Sequence, residues 1–186
     1  MSERPLRILG IPGSLRRHSY NRGLLLAARE LAPPGVVIDL YELHALPLYD
    51  QDLETAGPPP SVLAFKQAIA EADALLIATP EYNWSVPGPL KNAIDWASRP
   101  PATSPLRRKP VGIMGAATGP AGTIRAQLAL RQIFASTESY VLPKPDLFVR
   151  EAAALFHDGR LVDQQTRERL RELLEALVAW TRRFRD

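Results

Sequence analysis

Two loops of the sequence carry the side chains best suited to bind a ligand. The first follows an apolar run at 74–78 and contains ring, amide and acidic side chains: Pro80, Glu81, Tyr82, Asn83 and Trp84. Ligands of open parallel sheets bind at the carboxyl ends of the strands, so this composition favours contact with a flat heteroaromatic ring. The alternative is an ordinary connection whose aromatic residues belong to the core.

The second loop lies between the first predicted strand and helix and is rich in hydroxyl and basic groups, with Ser14, Leu15, Arg16, Ser19, Tyr20 and Asn21. Free amides, the positive end of a helix dipole and a guanidinium make a cradle for phosphate. Pro12 stands where the second glycine of G-x-G-x-x-G would admit a pyrophosphate, which favours a monophosphate. The alternative is a tight turn with Ser19 as a helix cap.

Short apolar runs that alternate with helical patterns place these loops in a fold. Strands are predicted at Arg7–Ile11, Val36–Tyr41, Ala74–Ala78, Pro110–Ala116 and Tyr140–Leu142, the last with a possible extension to Leu147. Buried strands separated by helices predict an α/β fold: a doubly wound, five-stranded parallel sheet of order 2-1-3-4-5 with helices on both faces. The loops after strands one, three and four then meet at the point where the strand order reverses.

The helices are predicted from apolar spacing and end signals. Leu24, Leu25, Ala28 and Leu31 give the first helix an apolar face. A proline-rich loop is expected from His44 to Pro60, and Ser61 is expected to cap a helix that reaches Ala72. Pro87 and Pro89 suit the first turn of the helix after the aromatic loop, and Asp163 is expected to cap the last helix.

Composition excludes several classes of function. The 186 residues predict one domain, 1–186, and the absence of cysteine excludes disulfides, a thiolate nucleophile and iron–sulfur sites. No apolar run approaches the roughly 20 residues of a membrane span, and no secretory h-region opens the sequence, so a cytoplasmic protein without membrane contact is expected. A net charge of +3 does not favour nucleic-acid binding.

Smaller signals limit the chemistry further. Arg16-Arg17 and Arg107-Arg108-Lys109 are basic spots that suit a small anion, although a solvated loop is the more economical interpretation of the second. Ser14 lacks the G-x-S-x-G elbow of a serine hydrolase. The histidines have no partners at metal-ligand spacing, and Glu81 has no paired carboxylate, which favours a positioning role over acid–base catalysis.

The sequence resembles the NAD(P)H-dependent FMN reductase family, in its branch of bacterial chromate and quinone reductases. The resemblance covers nearly the whole chain. It rests on Gly13-Ser14-Leu15-Arg16 with Ser19 and Asn21, on Pro80-Glu81-Tyr82-Asn83 with Ser85, and on Leu90-Lys91-Asn92-Ala93-Ile94-Asp95-Trp96. Leu46-Pro47-Leu48-Tyr49-Asp50 and Arg125-Ala126-Gln127 add to it.

The resemblance implies a flavodoxin-like fold, non-covalent FMN and NAD(P)H as co-substrate. It implies that Ser14, Arg16, Ser19 and Asn21 hold the FMN phosphate, with Leu15 and Tyr20 in the same loop. Pro80, Glu81, Tyr82 and Asn83 would border the isoalloxazine, together with Ala116 and Thr118. The flavin would carry the hydride chemistry, no side chain would be catalytic, and quinones, chromate, azo compounds or ferric complexes would accept electrons by a ping-pong mechanism.

The resemblance also implies a homodimer or homotetramer whose interface lies beside the flavin. The sequence departs from the family pattern after the fourth strand, where Ala116-Ala117-Thr118 replaces a loop that commonly carries serine. A flavodoxin-like electron carrier without nicotinamide turnover is the competing interpretation. Such carriers are usually strongly acidic, whereas this chain is weakly basic.

Overall fold

A parallel sheet forms the centre of the computed structural model, which describes residues 4–184. Its strands are β1 (Leu6–Pro12), β2 (Val36–Leu40), β3 (Ala74–Ala78), β4 (Pro110–Ala116), β5 (Tyr140–Val141) and β6 (Leu147–Val149). The order β2-β1-β3-β4-β5 confirms the predicted topology, and β6 pairs with β4. A small antiparallel hairpin, β7 (Phe156–His157) with β8 (Arg160–Leu161), stands apart from this sheet.

Helices cover both faces of the sheet, as predicted. They are α1 (Tyr20–Glu30), α2 (Gln51–Ala56), α3 (Pro60–Glu71), α4 (Gly88–Ala97), α5 (Ile124–Ser136), α6 (Ala152–Leu155) and α7 (Gln164–Arg182). One core packs α1 and α7 against the sheet through residues such as Leu24 and Leu174. The other core packs α3, α4 and α5 through residues such as Phe65, Leu90 and Phe134. Among the described helices, none combines the length and apolar composition that a membrane crossing requires.

The predicted fifth strand is divided into two segments. β5 ends at Val141, and pairing with β4 resumes where Leu147 meets Met114. Pro143 and Pro145 lie between the segments, and proline cannot donate to a sheet ladder. The extension of one continuous strand to Leu147 was therefore wrong, but both segments line the same side of β4.

The segment predicted as a loop from His44 to Pro60 contains α2. Asp50 caps this short helix by accepting a hydrogen bond from the Asp52 amide at 2.8 Å. The predicted cap of the next helix is also wrong, because α3 already begins at Pro60 and places Ser61 inside its first turn. Proline at the first helical position loses no hydrogen bond, so the helix can start earlier than the serine signal indicated.

The 46–50 segment is fastened to α4 by an amide clamp. The Asn92 side chain donates to the Pro47 carbonyl at 2.8 Å and accepts from the Tyr49 amide at 2.7 Å. The Trp96 indole also donates to the Pro47 carbonyl, at 2.9 Å, and only 1% of Trp96 is exposed. Trp96 therefore belongs to the core and not to an open face of α4.

Asp163 is predicted to stabilise α7 in a pH-dependent way. It caps the helix as expected, and its carboxylate accepts from the hydroxyl and the amide of Thr166, each at 2.7 Å. These two bonds lower the pKa of Asp163 from its ordinary 3.8. A lowered folded-state pKa means that the stabilisation is present above the unfolded-state value and is lost as the pH falls through the folded-state value.

We therefore expect Asp163→Ala to lower the free energy of unfolding by about 1 kcal/mol near neutral pH. Urea unfolding of both proteins over a pH series measures this difference, which should shrink as the pH falls below 3.8. Asp163→Asn is the matched control, since asparagine caps a helix without titrating. A wild-type advantage over Asp163→Ala that stays constant down to the lowest pH would contradict this role for the carboxylate.

Candidate cofactor-binding site

A cleft opens at the edge of the sheet where β1, β3 and β4 end. Its empty volume is about 530 Å³, and residues from all three following loops line it: Ser14, Arg16, Ser19, Tyr20, Asn21, Pro80, Glu81, Tyr82, Ala116, Ala117 and Thr118. Thus ten of the twelve residues predicted from the sequence lie around one cleft. The remaining two, Leu15 and Asn83, are exposed on the loops beside it.

The loop between β1 and α1 combines a helix cap with unpaired donors. The Ser19 hydroxyl caps α1 and accepts from the amides of Asn21 and Arg22 at 3.2 and 3.5 Å. Within the described part of the chain, the amides of Leu15, Arg17 and His18 donate to no protein acceptor. Unpaired amides at a helix N-terminus are suited to bind an anion.

Arg16 adds a positive charge to this loop. Its guanidinium lies 5.4 Å from the centre of the Tyr20 ring and donates to the His18 carbonyl at 3.1 Å. No carboxylate pairs with it among residues 4–184. Its charge therefore remains available to a ligand in the cleft.

Asn21 connects this loop to the end of β4. Its side-chain amide donates to the Ala116 carbonyl at 2.9 Å, and its side-chain oxygen accepts from the Ala116 amide at 2.8 Å. Both residues are buried, with 2% of each exposed. The Asn21 side chain is thus committed to the backbone, and it fixes the 116–118 loop against the start of α1.

The aromatic loop is a tight hairpin above the cleft. The backbones of Tyr82 and Ser85 exchange hydrogen bonds of 3.1 and 3.0 Å, and the two residues between them, Asn83 and Trp84, both have positive φ, at 48° and 64°. Two successive positive φ angles are required by type I′ turns. The hairpin holds the Tyr82 hydroxyl 3.5 Å from the Ser14 hydroxyl, so the two loops meet across the cleft.

Tyr82 and Trp84 face solvent and do not belong to the core, with exposed fractions of 50% and 74%. The Trp84 ring lies against the guanidinium of Arg125, 4.7 Å from the ring centre, which is cation–π geometry. This contact supports a tryptophan in a backbone conformation that bulky side chains rarely adopt.

Glu81 acts as a helix cap supplied by a distant loop. Its carboxylate accepts from the amides of Arg125 and Ala126 at 2.9 and 3.3 Å, and it also pairs with the Arg125 guanidinium. Thr123, the residue at the start of α5, makes no cap of its own. The Glu81 side chain is only 8% exposed, and its carboxylate is directed at the N-terminus of α5, which it stabilises. This geometry agrees with the predicted positioning role.

Close backbone packing lies behind the cleft. A Cβ atom on Gly115 would come within 2.2 Å of the Thr79 carbonyl oxygen and 2.3 Å of the Thr123 hydroxyl, so only glycine fits there. Gln127 donates to the same hydroxyl at 2.9 Å and to the Leu147 carbonyl at 3.0 Å. Sequence reasoning did not assign Thr123 any role, because its significance depends on contacts between β3, β4 and α5.

The chain is similar to known proteins over nearly its whole length. A family model described as NADPH-dependent FMN reductase matches residues 6–154. The chain belongs to this family. An NAD(P)H-dependent FMN reductase of Pseudomonas aeruginosa is 48% identical over 181 residues, which cover 97% of each protein. A 2-hydroxy-1,4-benzoquinone reductase of a Burkholderia species is 41% identical over 178 residues, 95% of this chain and 97% of that protein.

A solved structure gives the same result. FerB, a flavoenzyme NAD(P)H:(acceptor) oxidoreductase from Paracoccus denitrificans, superposes with a TM-score of 0.85 at 34% identity, and the match covers 96% of this chain and 98% of FerB. The expected family, flavodoxin-like fold and enzyme class are therefore confirmed: the chain is an NAD(P)H-dependent, FMN-using oxidoreductase.

The residues that line the cleft are chemically suited to bind FMN. Unpaired amides and Arg16 suit the single FMN phosphate, and the flat side chains of Pro80 and Tyr82 line the same cleft as the short side chains of Ala116 and Ala117. The contacts of individual residues with FMN stay predictions. When bound, FMN supplies the hydride chemistry of the reaction.

Two residues of the second basic spot of the sequence, Arg107 and Lys109, are committed to contacts within the protein. Arg107 pairs with Glu138 at 2.9 Å, and Lys109 donates to the Ala72 carbonyl at the end of α3 at 2.5 Å. Burial lowers the pKa of Lys109. Both side chains thus hold the opposite end of the domain together, a structural role that the sequence interpretation of a solvated loop did not include.

Proposed function

We propose that this member of the FMN reductase family passes electrons from NAD(P)H to quinones and comparable small acceptors, among them chromate, azo compounds and ferric complexes. The observation that carries the proposal is the open cleft at the ends of β1, β3 and β4, where an amide-rich loop with Arg16 lies beside the exposed ring of Tyr82. One cleft offers one face for both substrates. Donor and acceptor then bind in turn, which is a ping-pong mechanism.

In this proposal the protein binds the cofactor and the substrates, orients their ring systems and excludes water from the cleft. The loop from Ser14 to Asn21 holds the phosphate, while Pro80, Glu81, Tyr82 and Asn83 border the ring system and Ala116 and Thr118 lie at its other edge. The catalytic contribution is proximity: two planar systems are held in contact in one orientation. No side chain is assigned a proton-transfer step, because the one carboxylate of the cleft, on Glu81, is occupied by α5.

The proposal is tested with purified protein. The absorbance spectrum and chromatography of the released cofactor identify the bound flavin. Steady-state oxidation of NADPH and NADH at several benzoquinone concentrations should give parallel double-reciprocal lines. Intersecting lines would exclude ping-pong turnover, and bound FMN without any NAD(P)H oxidation would favour the electron-carrier alternative.

We predict that Arg16→Ala lowers the affinity for FMN about 10- to 30-fold, because a charge-assisted contact to phosphate is lost. Riboflavin lacks the phosphate, so its affinity should change less than about 2-fold. Fluorescence titration of the apoprotein with both flavins measures the difference. Equal weakening of FMN and riboflavin would remove the basis for placing the phosphate at this loop.

We also propose that the protein is a homodimer or homotetramer and that a second subunit completes the acceptor pocket. Large apolar side chains are exposed on the cleft loops: Trp84 is 74% exposed and Leu15 39%. Exposed apolar surface of this kind marks interaction sites. Light scattering at assay concentrations should give at least the mass of a dimer, and a monomer with full reductase turnover would refute this part of the proposal.

A further inference from the structure

A second pocket adjoins the cofactor cleft on the other side of the β1–α1 loop. Its empty volume is about 670 Å³, and its walls are formed by Leu15, Arg16, Arg17, Arg22, Glu42 and His44. Arg16 lines both the cleft and this pocket. The two spaces are therefore neighbours along one loop.

The pocket carries an excess of positive charge. Arg22 is neutralised by Glu42 at 2.8 Å, whereas Arg17 is exposed and has no carboxylate partner in the 4–184 range. Glu42 is the one acidic side chain in the walls, against three arginines. The uncompensated charge is that of Arg16 and Arg17, and Arg16 is already assigned to the FMN phosphate.

The wall of the pocket is held in place by His44. Its Nε2 lies 2.9 Å from the Leu15 carbonyl oxygen, and since a carbonyl only accepts, this ring nitrogen carries the hydrogen. The bond ties the segment after β2 to the phosphate loop. Arg17 therefore projects from a loop that is fastened on both sides, by His44 and by the Ser19 cap of α1.

We propose that this pocket binds the adenosine 2′-phosphate of NADPH and that Arg17 makes the enzyme prefer NADPH to NADH. The inference rests on the proposed function. A dinucleotide whose nicotinamide enters the cleft must place its other half outside it, and the adjoining pocket offers the unused positive charge. The 2′-phosphate is the group that distinguishes the two nucleotides, and guanidinium is well suited to bind phosphate.

Steady-state kinetics of Arg17→Ala with saturating FMN test the proposal. The value of kcat/KM for NADPH should fall about 10-fold, whereas that for NADH should stay within about 2-fold of wild type. Added salt should weaken the wild-type preference, because the pocket is open to solvent. Arg171→Ala, on the exposed side of α7, is the matched control and should change neither value.

A binding measurement provides an independent readout. Calorimetric titration of the holoprotein with 2′,5′-ADP should show binding that Arg17→Ala weakens about 10-fold, while 5′-AMP should bind both proteins alike. Equal loss with NADPH and NADH, no preference in the wild type, or 2′,5′-ADP binding that does not depend on Arg17 would each overturn the inference. Holoprotein that oxidises neither nucleotide would instead refute the proposed function. The titration would still show whether the pocket binds the 2′-phosphate through Arg17.

Discussion

Replacing Asn21 by alanine is expected to lower the free energy of unfolding by about 2–5 kcal/mol, because two buried backbone groups lose their partner at once. The amide and the carbonyl of Ala116 both bond to the Asn21 side chain, at 2.8 and 2.9 Å. Ala116 is 2% exposed, so water cannot readily replace these bonds. The same change frees the 116–118 loop that borders the cleft, and FMN affinity should fall with stability.

Asn92 provides a matched control for this prediction. It makes the same kind of bidentate clamp, to Pro47 and Tyr49, but outside the cofactor cleft. Asn92→Ala should destabilise the protein without changing the dissociation constant of FMN. Urea unfolding and flavin titration of both variants separate the two effects. If both variants lowered FMN affinity equally, Asn21 would have no specific role in shaping the cleft.

The central strands could be predicted from the sequence because burial on both faces leaves a local signature. β3 and β4 occupy the predicted residues, Ala74–Ala78 and Pro110–Ala116. Both are continuous apolar runs that end in turn residues, as strands covered by helices on both faces require. The topology then followed from the alternation of strands and helices.

The outer parts of the fold were predicted less well because their local signals compete. Pro143 and Pro145 interrupt the fifth strand, yet tertiary pairing with β4 restores it at Leu147. The α2 helix is only six residues long and buries none of them, so no apolar period revealed it. Its start could have been found from Asp50, a good helix cap two residues before Asp52.

The cleft could be located from the sequence, but the bonds that shape it could not. Loops after strands one, three and four must meet in this topology, which is why ten predicted residues line one cleft. Asn21 and Ala116, however, are 95 positions apart, and Glu81 and Arg125 are 44 apart. No spacing rule connects residues at such distances, so the partners of these side chains become visible only in the folded chain.

Glu81→Ala is expected to lower the free energy of unfolding by about 2–3 kcal/mol, because α5 loses its cap and Arg125 loses its carboxylate partner. The estimate stays moderate because the Arg125 side chain is 39% exposed and water can take over part of its bonding. Glu81→Gln keeps an acceptor oxygen for the amides of α5. It should therefore cost only about 1 kcal/mol, and urea unfolding measures both values.

The same two variants decide whether Glu81 takes part in the chemistry. With FMN saturating, flavin reduction by NADPH in stopped flow should slow less than about 100-fold in Glu81→Gln, below the usual contribution of a positioned acid or base. Tyr82→Phe, which removes the hydroxyl near Ser14, is expected to behave in the same way. The reason is that the Glu81 carboxylate already accepts from two amides and pairs with one guanidinium, so it is committed to α5. If Glu81→Gln bound FMN normally but abolished its reduction, Glu81 would be performing proton transfer, and the assignment of all hydride chemistry to the flavin would have to be given up.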